Sequence, residues 1–196
     1  MSTINVWRGD IGTAYAERNA ALPVAPYIGL WRDIAAHIDP LDTVLEVGAG
    51  EGVNLKALAT IYNARLVGVE PNAVAREALS DAGFDAIDGH ACSIPVANES
   101  FDMAFTSAVL IHVPPNELER ACREIYRVSR RYIACIEYFS HNPEEIEWRG
   151  RSGLLFKRDF GGFWLDTFPD LRLRGYGFAW KRASGLDDVT WWVFEK

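Results

Sequence analysis

Cysteine is scarce in this chain of 196 residues: Cys92, Cys122 and Cys135 stand far apart, with no C-x-x-C spacing. An odd, scattered set gives no metal site and fits reduced, mostly buried thiols. No run approaches the ~18–20 apolar residues that a membrane helix requires. The opening MSTINVWRGD lacks the basic and apolar regions of a secretory leader. These absences lead us to expect a cytoplasmic protein with no membrane partner. Basic charge is also in short supply, since 20 Lys and Arg face 27 Asp and Glu for a net charge of −7. A nucleic-acid partner usually demands a basic surface, so none is expected. H-x-x-x-H and similar spacings, internal repeats and low-complexity segments are missing too, and no metal is assigned.

What remains is ordinary globular composition, 49% hydrophobic and 24% charged, in a chain sized for one domain. Apolar residues at 27, 28, 31, 34, 35 and 38 predict a helix over 26–38. Strands are expected at 42–48, 64–70, 84–88, 100–107 and 130–139. Helices are expected at 53–62, at 71–83 with Pro71 in the first turn and Gly83 at the exit, and after Pro115. That alternation predicts a doubly wound, mostly parallel α/β sheet. Segments 171–180 and 189–196 are β-like and close in sequence, so they should form an antiparallel pair closing a seven-stranded sheet. Three parts follow: a helical N-terminal segment or lid (1–38), a ligand-binding core (40–139), and a substrate-side insertion with the strand pair (140–196).

The stretch TVLEVGAGEGVNLKAL (43–58) places glycines at 48, 50 and 52 after a buried strand. It is no P-loop, which needs GxxxxGK[ST]. Nor is it the dinucleotide fingerprint, whose third glycine would fall where Val53 stands. Glu46 is the telling residue. A carboxylate beside a pyrophosphate loop would repel its ligand by several kcal/mol, ~332/(εr) with ε about 20. Beside a cation it attracts. S-adenosylmethionine carries a sulfonium and an ammonium, which suits E-x-G-x-G-x-G. Glu70, at the end of the next strand, is placed to accept ribose hydroxyls.

Together with SIPVANESFDMAFTSAVLIHVPP (93–115), these features make residues 40–139 resemble a class I S-adenosylmethionine-dependent methyltransferase, with a Rossmann-like sheet. The resemblance implies a cofactor set of Glu46, Gly48, Gly50, Asn54, Glu70, Pro71 and Thr106. It adds His90 or Ser93 and the backbone of Ala91 at the adenine, where His90 stands in place of the family's usual Asp. Tyr15 and Asn19 would close over the methionine end, unless their helix is a surface lid touching nothing. WRGDIGTAYAERN (7–19), VLIHV (109–113), RRYIACIEY (130–138), FKRDFGG (156–162) and DDVTWWVFEK (187–196) are similar to methylases associated with pseudaminic acid biosynthesis. That likeness implies an acidic sugar acceptor.

Methyl transfer is largely a matter of positioning, but a hydroxyl acceptor also needs a general base. The candidates lie just beyond strand C-termini: His112, Glu137 and Tyr138, with His141 three residues on. Each also has a structural alternative, His112 as a loop brace and Glu137 as a hydrogen-bonding anchor. The segment RGRSGLLFKR (149–158) holds Arg149, Arg151, Lys157 and Arg158 and no acid. With His141 these form the expected substrate-binding set and point to an anionic small molecule, unless they pair with NPEEIE (142–147). The seven tryptophans read as core, with Trp191 and Trp192 facing opposite sides of one strand. Competing readings are a non-catalytic S-adenosylmethionine-binding subunit or sensor, a methyltransferase of another natural-product pathway, and a nicotinamide oxidoreductase, which Glu46 disfavours.

Overall fold

The computed structural model describes residues 3–196. The N-terminal part is helical: α1 (Thr3–Arg8), α2 (Asp10–Asn19) and α3 (Ala25–Ala35). The core follows as β1 (Thr43–Val47), α4 (Val53–Leu58), β2 (Arg65–Val69), α5 (Ala73–Asp81), β3 (Asp85–Ile87), β4 (Phe101–Ser107), a 3-10 turn (Leu110–His112), α6 (Pro115–Val128) and β5 (Ser129–Glu137). The C-terminal third comprises a small hairpin, β6 (Glu144–Glu145) and β7 (Phe156–Lys157), then α7 (Phe160–Thr167), β8 (Arg172–Ala179), α8 (Lys181–Ser184) and β9 (Val189–Glu195).

Seven strands form one sheet in the order β3-β2-β1-β4-β5-β9-β8. β3 through β5 are parallel; β9 pairs antiparallel with both β5 and β8. The expected doubly wound sheet with its antiparallel C-terminal pair is therefore the observed one. Strand order reverses between β1 and β4, which opens a crevice at their carboxyl ends where such sheets bind ligands.

The central strands β1, β2, β4, β5 and β9 are buried on both faces, which is why they read as continuous apolar runs, while the edge strand β8 stays largely exposed. One layer gathers Leu45, Val67, Ile133 and Trp192 with α6 and α7; the other gathers Val44, Phe105, Tyr132 and Trp191 with α3 and α4. Trp191 and Trp192 do face opposite sides. Helix α6 packs through Leu118, Ala121, Cys122, Ile125 and Val128, a 3–4 spacing that forms one apolar stripe.

Local chemistry moves some boundaries. Pro71 does not open the second core helix. Asn72 does, as its N-cap, because its side chain accepts from Val74 and Ala75 N–H at 3.1 and 3.2 Å. Pro71 lies one residue before that cap. Helix α4 stops at Leu58, short of the expected 62, and the turn at 181–188 contains α8. In 140–170 the expectation named no regular element, yet the hairpin and α7 lie there.

Candidate active site

The glycine loop joins β1 to α4. Gly48 and Gly50 adopt φ of +76° and +54°, the left-handed region that side chains avoid. A Cβ on Gly48 would also sit 2.5 Å from Val109. The Gly48 and Ala49 N–H groups both donate to the Val69 carbonyl, at 2.8 and 3.1 Å, which ties the loop across the end of β2.

Glu46 ends up 1% exposed. Its Oε1 accepts from Asn54 Nδ2 at 2.7 Å, and Asn54 Oδ1 accepts from Trp31 Nε1 at 3.0 Å. Oε2 is buried with no partner among the described residues. Burial pushes the carboxyl well above the usual carboxylate range, the Asn54 bond opposes this, and nearby Glu70 adds to it. Such a group requires either a proton or a cation. Glu70 accepts from the N–H groups of Gly50 and Asn72, both at 2.8 Å, and burial raises its pKa as well. Two buried acids, one with an orphaned oxygen, fit a ligand carrying an ammonium and a ribose. A pyrophosphate does not fit them.

Both acids line one cavity at the switch point, and the structure brings Tyr15, Asn19, Gly48, Gly50, Asn54, Pro71, His90, Ala91 and His112 to its walls. Helices α1 and α2 close one side, so this segment does not lie idle on the surface. Asn72 holds it there, donating from Nδ2 to the Trp7 carbonyl at 3.1 Å and to Thr13 Oγ1 at 3.2 Å. His90 is half-buried, and its pKa is lowered by burial and then by Arg8 and Arg120.

His112 Nδ1 lies 2.6 Å from the Leu154 carbonyl oxygen. A carbonyl only accepts, so Nδ1 carries the proton and Nε2 keeps a free lone pair. Burial lowers the ring's pKa to about 4, and the Leu154 bond opposes this. His112 is therefore neutral at physiological pH, with Nε2 as its unprotonated nitrogen, and burial makes it a weaker base than a free imidazole.

The other expected catalytic residues do not reach the cavity. Glu137 is fully buried, and its carboxylate accepts from the N–H groups of Val109, Leu110 and Ile111 at 3.2, 3.0 and 3.2 Å. It anchors the turn that carries His112, and burial raises its pKa to about 7. Tyr138 donates to Asp187 Oδ2 at 2.8 Å and lies outside the cavity lining. Thr106 is buried inside β4, away from the lining, which corrects its place in the cofactor set.

The expected substrate residues are also outside the lining. His141 is exposed, its ring edge-on to Phe139 at 5.1 Å. Lys157 sits over Tyr138, and Arg158 over Phe163 at 4.4 Å. The Trp148–Arg151 turn is closed by mutual backbone hydrogen bonds of 2.9 and 3.0 Å, with the Arg151 side chain exposed. Arg149 lies 5.4 Å above the ring of Trp148, which in turn packs against Trp7, Tyr15 and His112. The hairpin places Glu144 opposite Lys157, so acids of 142–147 do lie beside this segment.

Sequence reasoning missed Trp7, Tyr27, Asn72 and Trp148. Asn72 carried a readable signal, an Asn just before a helix, but its hold on α1 and α2 did not. Trp7 and Trp148 meet only through the fold.

Residues 45–132 match the family model described as a methyltransferase domain. The chain is 32% identical over 159 residues to a sterol methyltransferase-like protein of Botryococcus braunii, covering 76% of this chain and 38% of that protein. It is 33% identical over 126 residues to 24-methylenesterol C-methyltransferase 2 of Arabidopsis thaliana, covering 56% and 34% respectively. This chain thus spans little more than a third of the length of these curated relatives. Among solved structures it resembles the 1,6-didemethyltoxoflavin-N1-methyltransferase of Burkholderia thailandensis, with a TM-score of 0.76 and 16% identity over 98% of this chain and 88% of that one. That neighbour was solved with S-adenosylhomocysteine, and the fold shared with it is the Rossmann-like methyltransferase fold. The cofactor expected from the glycine loop is the one these comparisons support.

Proposed function

We propose that this protein transfers a methyl group from S-adenosylmethionine to a small molecule, with His112 as the general base for a hydroxyl acceptor. When bound, the cofactor supplies a methyl group activated on a positively charged sulfur. Glu46 would hold its ammonium, Glu70 its ribose hydroxyls, and His90 with Ala91 its adenine, while Tyr15 and Asn19 close over the methionine end. The single observation that carries the enzymatic reading is His112, whose Nε2 is left unprotonated in the wall of the cavity that contains both acids. A binding subunit or sensor would not need it.

The finer reading is a sugar or sugar-nucleotide acceptor bearing an anion. The resemblance to pseudaminic acid methylases supports the sugar, and Arg149 on Trp148 supports an anionic group held outside the cavity lining. Lys157 and Arg158, packed on Tyr138 and Phe163, give it no help. A second reading is methylation of carbon, the reaction named for the sterol relatives, and the apolar lining at Ile4, Leu22 and Tyr27 favours it.

The test begins with calorimetry using S-adenosylhomocysteine. Binding should weaken by about 1.5–3 kcal/mol in Glu70→Ala as charge-assisted hydrogen bonds are lost. Labelled donor with cell extract should then yield a labelled small product that His112→Phe fails to make. Tight binding of a nicotinamide dinucleotide, with none of S-adenosylhomocysteine, would reverse the assignment.

A further inference from the structure

We propose that the wall formed by Trp7, Tyr15 and His112 is the acceptor pocket, and that it receives a hydroxyl carried on a ring with an apolar face, uncharged at its reacting end. This rests on the methyltransferase reading above and names the class of acceptor. Trp7 comes from α1, Tyr15 from α2 and His112 from the turn after β4, and all three line the cavity. Trp7 lies 4.5 Å from the His112 ring and 5.7 Å from Tyr15. Trp148, from the loop between β6 and β7, packs on all three at centroid distances of 5.7, 6.4 and 5.7 Å. Segments distant in the chain thus converge to build one aromatic surface beside His112, a ring that can take a proton. Flat aromatic surfaces favour the face of another ring.

Charge narrows the class. Among the described residues, every charged side chain lining the cavity is an acid: Glu46, Glu51, Glu70 and Glu117, with no Lys or Arg. With Glu46 and Glu70 engaged by the cofactor, Glu51 and Glu117 remain and no Lys or Arg of the lining is there to pair with an anion at the reacting end. An ammonium would be drawn to aromatic faces, but it has no lone pair with which to receive a methyl group. A hydroxyl meets both demands. Its proton passes to His112 Nε2 as an oxygen lone pair forms the new O–CH3 bond, and the electrons of the broken S–CH3 bond stay on sulfur to leave a neutral thioether. Among the described residues the buried Trp7 indole N–H finds no acceptor.

Phenols and pyranoses share this chemistry, and the test separates them. Protein saturated with S-adenosylhomocysteine is titrated calorimetrically with catechol, with N-acetylglucosamine and with histamine. Binding of catechol identifies an aromatic ring, and binding of N-acetylglucosamine a sugar ring. In either case Trp7→Ala should weaken the probe roughly tenfold, while Trp7→Phe, which keeps the ring face, retains most of the affinity. Unchanged S-adenosylhomocysteine affinity shows that both variants fold. Binding of histamine alone, binding of neither hydroxyl probe, or indifference to Trp7→Ala overturns the proposal. Failure of S-adenosylhomocysteine to bind the parent protein sinks the methyltransferase reading instead.

Discussion

Glu137 and His112 are joined through a single turn of backbone. The carboxylate at the end of β5 accepts the N–H groups of Val109, Leu110 and Ile111, and His112 is the next residue. A buried side chain that never touches the cavity thereby fixes where the proton-accepting ring stands. Glu137→Ala should leave two buried N–H groups and one half-buried one unpaired and destabilise the protein by about 3 kcal/mol or more. Glu137→Gln keeps one acceptor oxygen but sets an amide N–H2 against the other donors. It should fold, bind S-adenosylhomocysteine normally and lose kcat with little change in acceptor KM. Melting curves and steady-state kinetics on the pair check this, and a Gln variant with normal kcat removes Glu137 as a positioning residue.

His112 itself should impose an unusual pH profile. An exposed imidazole loses its basic form as pH falls through about 6.5. Burial holds His112 lower, at about 4, so its basic form persists across that range. The expected kcat/KM shows no inflection from His112 near pH 6.5 and falls as pH drops through about 4. Replacing His112 by Asn should reduce turnover by about 10²-fold while cofactor affinity survives. A near-normal rate in that variant would indicate a neutral amine acceptor, which needs no base for the transfer itself.

Proton release should accompany cofactor binding. In the free protein, burial favours the protonated form of Glu46, and among the described residues Oε2 has no partner. An ammonium placed beside it favours the ionised form, so its pKa falls on binding and a proton leaves. Affinity should then rise with pH until Glu46 is already ionised in the free state. Calorimetry of S-adenosylhomocysteine in two buffers of different ionisation enthalpy measures that proton directly. Glu46→Gln should bind more weakly and release none. If the parent protein takes up protons or exchanges none, Glu46 does not hold the ammonium.

How far the sequence discloses this site depends on how local the relevant physics is. β1, the glycine loop and Glu46 lie within one strand-turn-helix, where alternate glycines and a buried acid are a local signal, and they appear where expected. Glu137 was legible as a conspicuous acid at a strand end. Its partners are backbone N–H groups across the β4–β5 boundary, and a sequence does not show which way a carboxylate turns. Arg158 misled for a related reason. It sits in a basic segment, yet the α7 helix, unforeseen among the Gly and aromatic residues of 160–167, places Phe163 under its guanidinium. Trp148 gave no signal at all. It lies in an irregular loop, and its value comes from meeting α1, at the other end of the chain.

The arginines of the 149–158 segment should therefore separate into two kinds. Arg149 stands on the Trp148 ring with φ of +54°, exposed beside the aromatic wall. Arg158 is half-buried over Phe163, and among the described residues its shielded Nε has no partner. If the acceptor bears an anion outside the cavity lining, Arg149→Ala should raise KM for that acceptor by the ~1.5–3 kcal/mol of a charge-assisted hydrogen bond. It should leave a neutral analogue of the same ring unaffected, and with it cofactor affinity. Arg158→Ala should not discriminate between the two acceptors. Its effect is on packing over Phe163, seen as a shift in melting temperature, because the guanidinium stem covers apolar surface. Kinetics with matched acidic and neutral acceptors decide the matter. Equal treatment of both by the parent protein and by Arg149→Ala ends the anionic reading, whereas discrimination lost in Arg158→Ala would mean that α7 turns its charge toward the substrate.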